Sequence, residues 1–180
     1  MARMMYGVGI NDADYKTRGC PFYNRWKSMM CRCYSVLYHK MHPTYLDCEV
    51  CDDWKLFSNF RNWMITQDYI GKQLDKDLLV IGNNIYGPNT CVFITSQINN
   101  FIQIIPTDKY NLPVGVLKKG KKFQSSIREP ITKNRVHLGT FDDANAAHAS
   151  WANKKKEYAY MLAKHETCDI ISSALIKRFT

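Results

Sequence analysis

The chain predicts an α+β fold: an N-terminal unit in which helices flank a short ββα hairpin and helix, then a small three-stranded antiparallel sheet packed on one helix. Three observations lead there. Apolar residues recur at helical spacing in two early stretches, two short apolar runs between residues 73 and 94 are broken by Gly/Asn/Pro turns, and three strand-like runs after residue 113 precede an alanine-rich stretch. The chain has 180 residues, 46% of them hydrophobic, which is enough to bury a real core in one domain or two small ones.

Taken in order, the first helical stretch opens at Cys20-Pro21-Phe22, where Tyr23, Trp26, Met29, Met30 and Cys33 form an inward stripe. A loop through residues 41–45 leads to residues 46–51. Asp52 and Asp53 can then cap a helix whose Trp54, Phe57, Phe60 and Met64 make an apolar face. Residues 73–80 read as a strand, Gly82-Asn83-Asn84 and Gly87-Pro88-Asn89 as turns, and residues 91–94 as a second strand. Ser96 caps a helix over residues 97–105, which Pro106 ends. Residues 107–113 have the composition of a linker, so the expected division is 1–106, linker 107–113, 114–165, and a tail or helix over 166–180.

After the linker, residues 114–116, 122–128 and 135–139 alternate like strands and should pair antiparallel. Asp142 is the expected cap of a helix carrying Ala144, Ala147, Ala149, Trp151 and Ala152, followed by an exposed run Lys154-Lys155-Lys156. One helix covers one sheet face. The other face is left free, and two strands fit the width of a major groove.

The formal net charge is +9, of which residues 1–108 carry +1 and residues 109–180 carry +8. Basicity so concentrated attracts a polyanion and makes nucleic acid the default partner, set against a merely solvating surface. Seven cysteines, an odd number, argue for reduced thiols rather than a disulfide scaffold. Cys31-x-Cys33 and Cys48-x-x-Cys51 could in principle share a zinc ion, but the first spacing is wrong for a knuckle, and buried thiols are the preferred reading. No run reaches the roughly 18 apolar residues of a membrane span, and the first residues lack a secretion signal, so a soluble intracellular protein with no membrane partner is expected.

Trp26, Met29, Arg32-Cys33-Tyr34, then Val50-Cys51, Trp54, Phe57 and Phe60, then the Gln73–Ile94 stretch with Asp75, Lys76, Asp77, Tyr86-Gly87-Pro88 and Asn99-Asn100, together resemble the HNH (ββα-metal) nuclease motif of phage-encoded homing endonucleases. Gly115-Val116, Lys122-Phe123, Ile127-Arg128 and Arg135-Val136-His137-Leu138-Gly139-Thr140-Phe141-Asp142 resemble the Apetala/ethylene-response-factor DNA-binding domain, which also occurs fused to such nucleases. The two resemblances cover most of residues 16–160. They imply a metal-dependent DNA endonuclease acting on double-stranded DNA with magnesium or manganese, in the host cytoplasm if phage-encoded. Lys119, Lys122, Arg128, Arg135 and His137 would be the DNA-binding residues. Val114 and Leu117 stand where the plant family favours arginine, and Phe123 takes a helix-packing position.

By the same resemblance, Asp75 and Asn99 hold the metal, Lys76 takes the general-base position, Asp77 lies beside it, and Thr90 takes the middle position. Lysine stands there for the usual histidine and threonine for the usual asparagine. A lysine base would need its pKa lowered toward neutrality, whereas Asp75 and Asp77 favour the ammonium, which could instead clamp a phosphate. Strand alternation would put Asp75 and Asp77 on one face and Lys76 on the other. A surface ion-pair cluster is the plain alternative for these three. His39 and His42 could approach the hairpin to supply the missing base. The alternative function is a catalytically degenerate DNA-binding protein acting by occupancy, and a weaker third is an RNA-binding or protein-interaction module.

Overall fold

The computed structural model describes residues 3–103 and 112–180, a mixed α+β chain whose described strands form four small sheets. Its contacts divide it into two compact units, 1–95 and 96–180. The helix after residue 95 therefore belongs with the C-terminal unit, ahead of the expected linker, of which residues 107–111 lie outside the described residues.

The first unit begins with an antiparallel hairpin of β1 (Arg3–Met5) and β2 (Gly9–Asn11), absent from the sequence reading. Gly9 packs so closely on α1 (Pro21–Tyr34) that a Cβ there would lie 2.6 Å from Met30 Cε and 2.9 Å from Trp26. Only glycine permits that approach. Helix α1 carries Pro21 in its first turn and buries Trp26, Met29, Met30 and Cys33, as the spacing predicts. Trp26 Nε1 donates to the Trp54 carbonyl at 2.7 Å, which satisfies the indole in the core.

Residues 36–41 form α2 (Val36–Met41), capped by Ser35 Oγ accepting from Tyr38 N. A 3-10 turn over Asp53–Lys55 precedes α3 (Phe57–Ile65), which buries Phe57, Phe60 and Met64. The cap differs from expectation. Asp52 pairs with Lys55 and Asp53 accepts from Asn59, while Asp12, distant in sequence, accepts from Ser58 N at 3.0 Å in the first turn.

Two two-stranded sheets close the unit. Strand β3 (Glu49–Val50) runs parallel to β5 (Ile85–Tyr86), and β4 (Gln73–Asp75) pairs antiparallel with β6 (Val92–Ile94). The strand expected over 73–80 thus stops at Asp75. Trp54, Phe60, Trp63 and Phe93 pack ring against ring beneath these strands, with neighbouring centroids 4.4 to 5.9 Å apart.

The second unit starts with α4 (Ser96–Ile102), followed by a sheet of β7 (Val116–Lys119), β8 (Lys122–Arg128) and β9 (Arg135–Phe141) in the order β7-β8-β9, all antiparallel. The expected three-stranded sheet is present, with a bulge at Ser125/Ser126. Asp143, one residue after the expected cap, accepts from Ala146 N at 2.8 Å and starts α5 (Ala144–His165). Helix α5 covers one sheet face. Residues 169–179 form α6 (Asp169–Phe179), which packs Ile171 and Leu175 into the interior. No helix among the described residues is long and apolar enough to cross a membrane.

Candidate functional site

The acidic hairpin is built around the end of β4. Asp75 is 9% exposed, and its Oδ1 accepts from Asp77 N at 3.0 Å and from Leu78 N at 2.7 Å, so it closes the turn that ends the strand. Because the strand ends there, the expected alternation of Asp75, Lys76 and Asp77 does not apply. Lys76 is 8% exposed, and its Nζ donates to Asp77 Oδ1 at 2.6 Å and to the Asn83 carbonyl at 2.7 Å. Burial works against its charge, but the hydrogen bond and ion pair with Asp77 outweigh it and hold the ammonium above the ordinary lysine range. A lysine so held is a poor general base at neutral pH.

Asn83, read from sequence only as a turn residue, is the polar hub here. Its Nδ2 donates to the Lys76 and Ile85 carbonyls, and its Oδ1 accepts from Ile85 N. Its place between two apolar runs was the available signal. Thr90 Oγ1 donates to the Ile85 carbonyl at 2.7 Å and fastens the following turn. Asn99 lies on α4, in the other unit.

The histidines proposed as a replacement base are engaged elsewhere. His39 Nε2 lies 2.8 Å from the Arg32 carbonyl, and the His42 ring packs on Tyr38 with centroids 4.4 Å apart. Burial pushes the Cys33 and Cys91 thiols up to about 12 and also raises Cys48 and Cys51, so these sulfurs stay protonated rather than presenting thiolates. Among the described residues no three His, Cys, Asp or Glu side chains come together as a metal-binding group. Of the two residues expected to hold the metal, Asp75 uses Oδ1 to close a turn and Asn99 lies on α4, while the neighbouring Asp77 is paired to Lys76.

The sheet is different. Residues paired across an antiparallel ladder share a face, and the register couples Lys119 with Lys122, Leu117 with Gln124, Ser126 with His137, and Arg128 with Arg135. The opposite set, Val116, Phe123, Ser125, Ile127 and Val136, holds the buried positions of the sheet. All five predicted DNA-binding residues, Lys119, Lys122, Arg128, Arg135 and His137, therefore fall on one face, the one turned away from α5. His137 Nδ1 lies 2.9 Å from Gln124 Nε2 in the middle of that face. No strand residue on it is acidic, and Lys122 reaches Asp142, beyond the end of β9, at 3.1 Å.

One residue was misassigned by sequence. Lys155, expected in an exposed lysine run, is 8% exposed, with its Nζ 3.8 Å from the Phe101 ring centroid and bonded to the Phe101 carbonyl. Burial first, and the Arg178 charge second, lower its pKa to about 8. Helical period gave the signal: Ala147, Trp151, Lys155, Ala159 and Leu162 lie on one stripe of α5. Compared with known proteins, the chain matches no family model, no curated protein and no solved structure.

Proposed function

We propose that this chain binds double-stranded DNA through the free face of the β7-β8-β9 sheet and acts by occupancy. The observation that carries the reading is the pairing of like charges. Lys119 stands directly opposite Lys122, and Arg128 directly opposite Arg135, arrangements that cost stability in a free sheet and are relieved by a polyanion. The two cationic pairs are six residues apart on β8, about 20 Å at strand rise. That span bridges a major groove of about 12 Å from one backbone to the other. Between them Gln124, Ser126, His137 and Thr140 offer donors and acceptors to base edges, and Leu117 offers an apolar contact.

The test is fluorescence anisotropy on a labelled duplex. Arg128→Ala and Arg135→Ala should each weaken binding by about 1 to 3 kcal/mol. Unchanged affinity in both would remove the sheet-face reading.

Metal-dependent cleavage, with magnesium or manganese, is the second reading. It is favoured by the order of elements, since β4 pairs antiparallel with β6 and α4 follows directly. Supercoiled plasmid that stays intact with wild-type protein over a wide range of both metals, while duplex binding persists, speaks for occupancy. Nicking by the wild type that disappears in a folded Asp75→Asn protein speaks for cleavage.

A further inference from the structure

The second unit contains a cavity of about 450 Å³ bounded by α4, α5 and the β8–β9 turn, and neither reading above uses it. Its size falls within the range of small-molecule sites. One wall is aromatic, made by Trp151 and Phe101. The indole is held rigidly: a Cβ on Gly115 would lie 2.1 Å from Trp151 Cδ1, and the His148 ring stacks on it at 5.6 Å and 17°.

The charge around the cavity is unbalanced. Among the described residues that line it, Lys133 and Lys155 stand against a single acid, Glu129. That carboxylate is already engaged, accepting from Ile131 N and Thr132 N in its own turn. Lys155 is buried beyond nine-tenths, and among the described residues its ammonium has a carbonyl and aromatic faces for company but no carboxylate. A buried ammonium without a counterion is costly, and an anion entering the cavity would supply the missing charge. Asn100 and Gln97 add amide groups that can both donate and accept.

We propose that this cavity binds a nucleotide, with the base against Trp151 and the phosphate toward Lys133 and Lys155. The nucleotide could be free or an unstacked residue of a nucleic acid, since both present the same base and phosphate. The inference goes beyond duplex binding by the sheet and does not depend on it.

The experiment is calorimetric titration of the full chain with 2′-deoxyadenosine 5′-monophosphate, deoxyadenosine and inorganic phosphate. The monophosphate should bind at one site per chain, at least tenfold more tightly than either fragment. Lys133→Ala, at an exposed turn where folding is not at risk, and Lys155→Met should each weaken it at least tenfold. No saturable binding up to about 10 mM would overturn the proposal, and so would affinity unchanged in both variants. A duplex with one extrahelical adenine that displaces the monophosphate better than a fully paired duplex identifies a nucleic-acid source; equal displacement identifies the free nucleotide. Arg135→Ala should leave monophosphate binding intact while weakening duplex binding, so failure of the cavity and failure of the sheet are separable.

Discussion

Replacing Asp75 by alanine removes the one acceptor shared by two backbone donors. Its Oδ1 receives Asp77 N at 3.0 Å and Leu78 N at 2.7 Å, and Leu78 itself is 1% exposed. Loss of a side-chain cap costs about 1 to 2 kcal/mol, and a buried donor left unmet costs about 1 to 3 kcal/mol. Allowing for partial rescue by water at the Asp77 amide, the substitution should destabilise the first unit by about 2 to 4 kcal/mol. Asp75→Asn keeps an oxygen acceptor and should cost about 1 kcal/mol. The assay is urea unfolding followed by tryptophan fluorescence, because Trp26, Trp54 and Trp63 all report on this unit. An Asp75→Ala protein as stable as wild type would refute the turn-closing role and return the carboxylate to a ligand role.

Other consequences concern the second unit. Gly115 has φ +81 and sits against the Trp151 indole, so Gly115→Ala combines backbone strain with a clash and should lower stability by at least about 2 kcal/mol in the same urea experiment. Lys155 has a pKa of about 8 when folded against an ordinary 10.5. Between those values the unfolded chain holds a proton that the folded chain has released, so stability should rise as pH climbs from about 8 to about 10.5, by up to about 3 kcal/mol. Lys155→Met should flatten that rise, as read from unfolding midpoints across the pH series.

Much of the architecture was legible because local pattern and tertiary burial agree. Trp26, Met29, Met30 and Cys33 lie on a helical stripe and are buried, and the runs that became β8 and β9 alternate well enough to place Lys122, Arg128, Arg135 and His137 on one face, with Lys119 of β7 joining them through its pairing with Lys122. What escaped depends on non-local partners. Strands β3 and β5 are two residues each and exist through their pairing with one another. Helix α2 has no buried residue and therefore no stripe to read. The hairpin geometry was misread because alternation was extended through Lys76 and Asp77, whereas Asp75 ends the strand by bonding the next backbone amides. Lys155 was hidden by its neighbours Lys154 and Lys156, a charge run that outweighed its place on the buried stripe.

The salt dependence of duplex binding addresses the sheet-face account most directly. Lys119, Lys122, Arg128 and Arg135 each neutralising one phosphate give a slope of log affinity against log salt of about −3.6, and the Arg128→Ala/Arg135→Ala double variant should reduce it to about −1.8. Lys164→Ala, on the exposed end of α5, should leave the slope unchanged. A slope that is the same in the wild type and the double variant would contradict the assignment of that face to DNA.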